Sequence, residues 1–138
     1  MAENSLTYKV FEIMGSRLKS IGCSYYLQDR PLNIPEKTDR FVVLRISGRL
    51  YDRTKGFKGS GKTTSGLIYA FQRSKSDGTP NIKKLTSLER DVMNLFPISE
   101  TGVCCTHPRW LSGVSDGYGF NMSSIIFDVR INLPFLDN

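Results

Sequence analysis

The amino-acid sequence predicts an α+β domain: a mostly antiparallel sheet with two amphipathic helices packed on one face and a long basic hairpin loop. Two segments have apolar residues at helical spacing, and several shorter segments are rich in β-forming residues. Two helices are too few to connect those strands as parallel units, so hairpins are expected instead. The chain of 138 residues has the length of one domain, which we expect to span residues 1–138.

The first helix is predicted from Leu6 to Ile21, with Asn4 or Ser5 as its cap and Gly22 as its end. Its apolar residues fall on one face, which should pack against the sheet. These residues are Leu6, Val10, Ile13, Met14, Leu18 and Ile21.

The segment after this helix predicts a short strand, a loop and a hairpin. Cys23–Leu27 is the short strand, and residues 28–39 form a loop whose prolines exclude a regular ladder. Phe41 to Leu50 is apolar at both parities at its start and alternates later, which predicts a strand covered on both faces and then exposed. Leu67 to Arg73 is the return strand, so residues 52–66 are predicted to form a flexible basic loop between the two.

Apolar spacing predicts a second helix, with Thr79 as its cap, Pro80 at its first position and Pro97 closing it. Its stripe consists of Ile82, Leu85, Leu88, Val92, Leu95 and Phe96.

The last third of the chain is predicted to be β-structure interrupted by a loop. Val103–Thr106 is a short strand, and His107–Gly119 is predicted to be a loop or irregular turn. The final segment alternates cleanly, which indicates a half-buried antiparallel strand ended by Pro134. Its buried side should consist of Ile125, Phe127, Val129 and Ile131.

Positive charge is concentrated on the predicted hairpin loop. The formal net charge is +6, with an isoelectric point near 9.4. From Arg49 to Lys62 there are five basic residues and one acidic residue, Asp52. Such a patch favours phosphate backbones or acidic protein surfaces, so we predict that the loop contacts a partner. The residues predicted to make this contact are Arg53, Lys55, Lys58 and Lys62.

Cys23, Cys104 and Cys105 are predicted to be free thiols in a reducing compartment, because adjacent cysteines cannot form a strain-free disulfide with each other. Strand alternation predicts that one of the adjacent pair faces the core and the other faces away. Cys104, Cys105 and His107 lie close enough in the sequence to suggest a metal, but a zinc site needs about four ligands and the remaining candidates are scattered. A nucleophile also needs a base within reach, and His107 is the only histidine. We therefore predict no metal, no cofactor and no enzyme activity.

The sequence also predicts no contact with a membrane. No apolar run reaches the roughly 20 residues needed to cross a bilayer, and the N-terminus lacks the apolar core of a signal peptide. We expect a soluble protein that stays in the compartment where it is made.

A nucleotide-binding protein is an alternative hypothesis. Residues 56–63, GFKGSGKT, match the phosphate-loop pattern GxxxxGK[ST]. In that interpretation Gly61 and Lys62 would hold phosphates, while Thr63 and Asp128 would hold magnesium. A working phosphate loop opens directly into a helix, whereas Leu67 onward predicts a strand.

A small nucleic-acid-binding module is a third hypothesis. Basic residues lie near Tyr51, Phe57 and Tyr69, which could provide stacking platforms. The helix-turn-helix, zinc-finger and RNA-recognition signatures are absent, and such aromatics more often pack across strands.

The order and hydrophobic pattern of these elements resemble the tail terminator (tail completion) proteins of tailed bacteriophages. The resemblance covers nearly the whole chain, including the core strand at Phe41–Ile46, the long hairpin loop, the strand Gly66–Phe71, the helix end at Asn94–Pro97 and the closing strand Phe127–Pro134. Neck and head-to-tail connector proteins look similar at this level.

The resemblance implies a structural virion protein without a catalytic site. It implies a homo-oligomeric ring, commonly of six subunits, that caps the head-proximal end of the tail tube and stops its polymerisation. The implied partners are other copies of the chain, the tail tube protein and the head-tail connector or neck protein, with DNA passing through the lumen. The implied location is the tail or neck of the virion, after assembly in the host cytoplasm. In such a ring the basic loop would dock on the tube or face the lumen.

Overall fold

The computed structural model describes residues 2–46, 61–100 and 102–132. These residues form two helices and six strands that pack as a sheet with both helices on one face, so the predicted α+β class is confirmed. The elements are α1 (Ala2–Lys19), β1 (Ser24–Leu27), β2 (Arg40–Ile46), β3 (Gly61–Arg73), α2 (Ile82–Met93), β4 (Ile98–Glu100), β5 (Val103–Ser115) and β6 (Phe120–Asn132).

The six strands form one sheet in the order β1-β2-β3-β6-β5-β4. β3 and β6 are the central pair and run antiparallel over their whole lengths, from Gly61 opposite Asn132 to Arg73 opposite Phe120. β1 pairs with β2 in parallel, and the other described pairs are antiparallel. The predicted mostly antiparallel sheet is therefore confirmed.

The main core lies between the sheet and the two helices. α1 contributes a buried stripe from Val10 to Leu18, and α2 contributes Leu88 and Val92. Burying an aliphatic or aromatic side chain of this size contributes about 1.5–3 kcal/mol, which is what holds the helices on the sheet. The buried side of β6 is as predicted, with Ile125, Phe127, Val129 and Ile131 fully buried.

The opposite face of the sheet carries a smaller, mostly aromatic core. Phe41 and Phe71 lie directly opposite each other on β2 and β3, and their rings stack with centroids 4.4 Å apart. Val43 and Phe120 complete the cluster. The start of β2 is therefore covered on both faces, whereas Arg45 near its end is exposed, as the sequence predicts.

The proline-containing loop, residues 28–39, covers this aromatic core and links β1 to β2 without a helix. The guanidinium carbon of Arg30 lies 5.3–5.9 Å from the centroids of four aromatic rings. The same guanidinium forms a partly buried ion pair with the carboxylate of Asp116. At the far end of the loop, Arg73 donates to the carbonyls of Thr38 and Glu36 at 2.8 and 3.1 Å. The loop is thus a packed layer of the fold.

The predicted start of α1 is wrong by a few residues. α1 begins at Ala2, so Asn4 and Ser5 lie within the helix and do not cap it. Its end agrees better with the sequence, because the chain leaves the helix after Lys19 and Gly22 adopts a positive φ of 89°.

The predicted cap of α2 is also wrong. Both the backbone N–H and the hydroxyl of Thr79 donate to Asp77, at 3.0 and 2.6 Å, which fixes Thr79 in the preceding turn. Asn81 caps the helix instead, since its side-chain oxygen accepts from the backbone N–H of Lys84 at 3.3 Å. The helix therefore begins after Pro80.

The predicted end of α2 at Pro97 is too late. The helix ends at Met93, although Leu95 and Phe96 still pack against the main core beyond it. Ile82, predicted as the first residue of the buried stripe, is exposed.

The predicted loop at His107–Gly119 is mostly strand. β5 continues to Ser115 and pairs with β6 throughout, so only residues 116–119 form the turn. Two irregularities interrupt the pairing, between Thr106 and Arg109 and between Trp110 and Ser112. Each adds a residue to β5 and then lets the ladder resume. The extra residues destroy the simple alternation by which a strand is recognised in a sequence.

Candidate assembly surface

Most of the predicted basic contact residues lie outside the described part of the chain. Arg53, Lys55 and Lys58 fall in the undescribed segment 47–60. Lys62 lies in β3, where its backbone is paired opposite Ile131. The predicted loop at residues 52–66 is therefore wrong for residues 61–66, which are strand.

The last residues of the phosphate-loop motif do not have the backbone conformation that phosphate binding requires. Gly61, Lys62 and Thr63 run as a strand against β6 and continue in β3 to Arg73, so no helix follows the motif. A phosphate loop depends on free backbone amides at a helix N-terminus, and a strand directs its amides at its neighbours instead. The proposed magnesium ligand Asp128 is contacted by Arg109 at 3.2 Å and by the imidazole Nδ1 of His107 at 3.8 Å.

The first irregularity in β5 positions these partners of Asp128. His107 adopts a positive φ of 58°, a conformation that is uncommon outside glycine but more accessible to histidine than to most residues. Thr106 stays opposite Asp128, and pairing resumes with Arg109 opposite Ile126. The His107 and Arg109 side chains therefore both reach the carboxylate of Asp128 on the face of the sheet opposite the helices.

Two further arginines flank the base of the hairpin on that same face. Arg45 lies near the end of β2 and Arg130 lies opposite Thr63, and both are exposed. Within residues 2–46, 61–100 and 102–132, neither forms an ion pair at a described carboxylate. They extend the positive charge of the hairpin sequence onto the body of the sheet.

The outer edge of β5 carries a group of exposed apolar side chains. β4 covers only Val103 to Cys105, so no described strand pairs with the outer edge from Thr106 to Ser115. Along that open edge the side chains of Trp110, Leu111 and Val114 are each more than half exposed, at 55%, 53% and 53%. An exposed apolar sheet edge of this kind is a surface on which another strand can pair.

A groove of about 450 Å³ lies beside this edge, between α2 and the first half of β6. Its apolar wall includes Ile82, Leu85 and Trp110. Its polar side is formed by Glu89, whose carboxylate accepts a hydrogen bond from the hydroxyl of the buried Ser123. The edge and the groove together form a surface with an apolar centre, which we call the β5 surface (Ile82, Leu85, Trp110, Leu111 and Val114).

The opposite edge of the sheet is also open. β1 pairs only with β2 among the described strands, and its last residue, Leu27, is exposed. Tyr25 packs on the main core and Tyr26 on the aromatic core. By alternation, Leu27 lies on the helix-covered face, the same side as Tyr25.

The thiols follow the alternation that the sequence predicts. All three cysteines are free, and Cys105 is buried in the main core while its neighbour Cys104 is only partly buried. Burial raises the pKa of the Cys105 thiol to about 12, and the adjacent Cys104 adds to this shift. Burial also raises the pKa of the Cys23 thiol. No group of three His, Cys, Asp or Glu side chains among the described residues is placed to hold a metal ion.

Sequence reasoning missed the β5 surface because it predicted a loop there. The two irregularities interrupt the alternation by which a strand is recognised in a sequence. Trp110, within the predicted loop, lies exposed on the edge of the strand.

No protein-family model matches the chain, and a search of curated proteins finds no significant match. Among the described residues, neither helix has the length and apolar character that crossing a bilayer requires.

Proposed function

We propose that this chain is an assembly protein of a tailed bacteriophage, a tail terminator that forms a ring on the head-proximal end of the tail tube. The ring stops growth of the tube and joins it to the connector or neck protein of the head. It acts by binding and carries no catalytic centre. Its place is the tail or neck of the virion.

The observation that carries this proposal is the open β5 edge with its three exposed apolar side chains, Trp110, Leu111 and Val114. Soluble monomers rarely keep such an edge free, because it invites pairing with another chain. A structural ring protein needs edges of this kind, since each subunit must bind a neighbour on both sides. The order of the elements, which resembles tail terminators, supports the same conclusion.

The basic hairpin supplies the second contact of the proposed ring. Arg45 and Arg130 lie at its base and are exposed on one face of the sheet. Arg45 and Arg130 supply positive charge suited to an acidic patch on the tail tube or to DNA in the lumen, and the sequence between β2 and β3 adds Lys55 and Lys58, which lie outside the described residues. Salt dependence distinguishes these contacts from the apolar ring contact, because salt screens charges and not buried apolar area.

Gene disruption in the phage that encodes the chain tests the proposed function. Without a terminator the tube has no stop signal, so electron microscopy should show tail tubes longer than normal and heads without tails. Supplying the intact chain from a plasmid should restore tails of normal length. Normal, head-bearing tails in the disrupted phage would show that the chain has another role.

A complementation series separates the two contacts. A plasmid copy with Lys55→Glu and Lys58→Glu should fail to restore joined virions even though the described sheet is unchanged. A copy with Lys83→Glu, an exposed lysine on α2 away from the hairpin, is the matched control and should complement normally.

A further inference from the structure

We propose that the outer edge of β5 in one subunit binds the outer edge of β1 in a second copy of the chain, so that the sheet continues from subunit to subunit. This inference rests on the proposed ring and specifies the contact that closes it. The two strands lie near opposite ends of the sheet order β1-β2-β3-β6-β5-β4. A contact between two different edges is heterologous, and such contacts can close into rings.

Strand direction favours this pairing. β1 runs parallel to β2, and the antiparallel pairs β2–β3, β3–β6 and β6–β5 reverse the direction three times. β5 therefore runs opposite to β1. When neighbouring subunits are related by rotation about a ring axis along the strands, β5 meets the next β1 as an antiparallel pair, which needs no change in either strand.

The lengths of the two edges also agree. The second irregularity in β5 ends at Ser112, and pairing with β6 is then regular from Ser112 to Ser115. That regular segment has four residues, and β1, Ser24–Leu27, also has four residues. When the faces are matched, residues 24–26 pair with residues 112–114, and only Leu27 lies beside the irregularity. A longer incoming strand would run further into the irregularity, so the edge favours a short partner.

Matching the faces of the sheet sets the register. Residues that lie opposite each other share a face, so Ser24 aligns with Val114 and Tyr26 with Ser112. In this register Tyr25 lies opposite Gly113, which has no side chain to displace it. Leu27 then lies opposite the second irregularity, on the same face as Trp110.

This register buries the exposed apolar side chains of both edges together. Leu27 is 46% exposed and Trp110 is 55% exposed, and both lie on the helix-covered face. Leu27 of the second copy would enter the mouth of the groove between Trp110 and Ile82. Backbone pairing supplies the alignment, and the Leu27 to Trp110 contact supplies an apolar centre of the kind that dominates protein interfaces.

Cross-linking between two single-cysteine positions tests the contact on the purified full-length protein. The background carries Cys23→Ser and Cys104→Ser, and it retains Cys105, whose buried thiol stays protonated. A tagged Ser24→Cys chain is mixed with an untagged Val114→Cys chain at submillimolar concentration and treated with a short bis-maleimide, because Val114 lies opposite Ser24 on the same face in this register. Both positions flank the apolar contact and leave it intact.

The expected product is a mixed dimer of tagged and untagged chains. Replacing Val114→Cys by Ser99→Cys, on the exposed part of β4, should abolish it. Trp110→Ser in the untagged chain should weaken association in sedimentation velocity by about 30-fold or more, as expected for a tryptophan at the centre of an interface.

Three results would overturn the inference. Cross-links only between two Val114→Cys chains would indicate a symmetric β5–β5 contact. Oligomers in sedimentation that yield no mixed cross-link would indicate a different surface. A protein that stays monomeric at submillimolar concentration would show that the edges do not pair. None of these results alters the outcome of the gene disruption, so failure of this contact is distinguishable from failure of the proposed function.

Discussion

Replacing Gly66 with a larger residue is predicted to destabilise the fold. It lies in β3 between Ile46 of β2 and Phe127 of β6. A Cβ added at Gly66 would lie 2.2 Å from Cζ of Phe127 and within 2.7 Å of both Cε atoms. Carbon atoms in contact sit about 3.5–4.0 Å apart, so Gly66→Ala requires the Phe127 ring to move by more than an ångström. The glycine is therefore required for packing, and not for loop flexibility.

The Phe127 ring has little freedom to move. It is fully buried and packs on Phe96 with centroids 5.0 Å apart. Overpacking a core costs about 1–3 kcal/mol, whereas alanine in place of glycine in a strand would otherwise gain about 0.5–1 kcal/mol. We expect Gly66→Ala to lower the free energy of unfolding by about 1–2 kcal/mol, a measurable share of the roughly 5–15 kcal/mol of a typical domain.

Urea unfolding of a double-mutant cycle checks this cause. Phe127→Leu alone should cost about 1–2 kcal/mol, less than the roughly 3–5 kcal/mol of a phenylalanine-to-alanine change. Because the smaller side chain vacates the space, the double variant should be more stable than the sum of the single effects predicts, by about 1 kcal/mol or more. Gly113→Ala is the comparison, since its Cβ would lie 3.3 Å from the Met122 carbonyl oxygen, 3.5 Å from Oγ of Ser123 and 3.9 Å from Cζ2 of Trp110, without the deep overlap found at Gly66. Additive single effects, or a Gly66→Ala protein as stable as the parent, would refute the packing argument.

Three further predictions concern the ion pair, the buried thiol and the phosphate-loop motif. Arg30→Ala should lower the free energy of unfolding, measured in urea, by about 2–3 kcal/mol, because it leaves the largely buried Asp116 without its cation. Arg17→Ala is the control, and it should lower the free energy of unfolding by less than about 1 kcal/mol because it removes an exposed pair with Glu100. For Cys105, the unfolded thiol loses its proton above its ordinary pKa of 9.0, whereas the folded thiol keeps it up to about 12. The unfolded state then binds fewer protons, so stability should fall as the pH rises through this window, by at most about 1.4 kcal/mol per pH unit. Urea unfolding of the parent and of Cys105→Val should diverge there, and parallel pH profiles would contradict the assignment. Finally, ATP or GTP with magnesium should leave the melting temperature unchanged, because Lys62 lies in a strand; a shift that requires both magnesium and Lys62, absent in Lys62→Ala, would restore the nucleotide-binding hypothesis.

Periodicity predicted the parts of the fold in which one face is simply buried. The apolar stripe of α1 and the alternation of β6 arise because each element buries one face, so both could be predicted from the sequence. The doubly buried start of β2 was found because its residues are apolar at both parities. The boundaries failed where a local hydrogen bond decides them, as with Thr79, which binds Asp77 and leaves the cap to Asn81.

The candidate surface could not be predicted because it depends on what lies beside a strand. Trp110 and Val114 are apolar, and nothing in their spacing says that no strand covers them. Only the sheet order shows that β4 pairs with β5 no further than Cys105 and that no other described strand pairs with the rest of that edge. Gly66 was assigned to the predicted loop for a similar reason. In a sequence, a glycine that is required because an aromatic ring packs on it cannot be told from a glycine that is required by a turn.

The irregularities of β5 would limit aggregation through its outer edge, with which no described strand pairs beyond Cys105, before the proposed ring forms. A long, flat edge would pair with almost any strand, including copies of itself. Two irregularities and Pro108, which has no backbone N–H to donate, divide the outer edge and leave a regular segment of only Ser112–Ser115. An incoming strand can pair with only a few residues there, and so short a ladder is weak unless the neighbouring side chains of the two strands also pack together. In the proposed ring, selectivity would then come from the contact of Leu27 with Trp110, so changes at these two residues should weaken the contact between subunits.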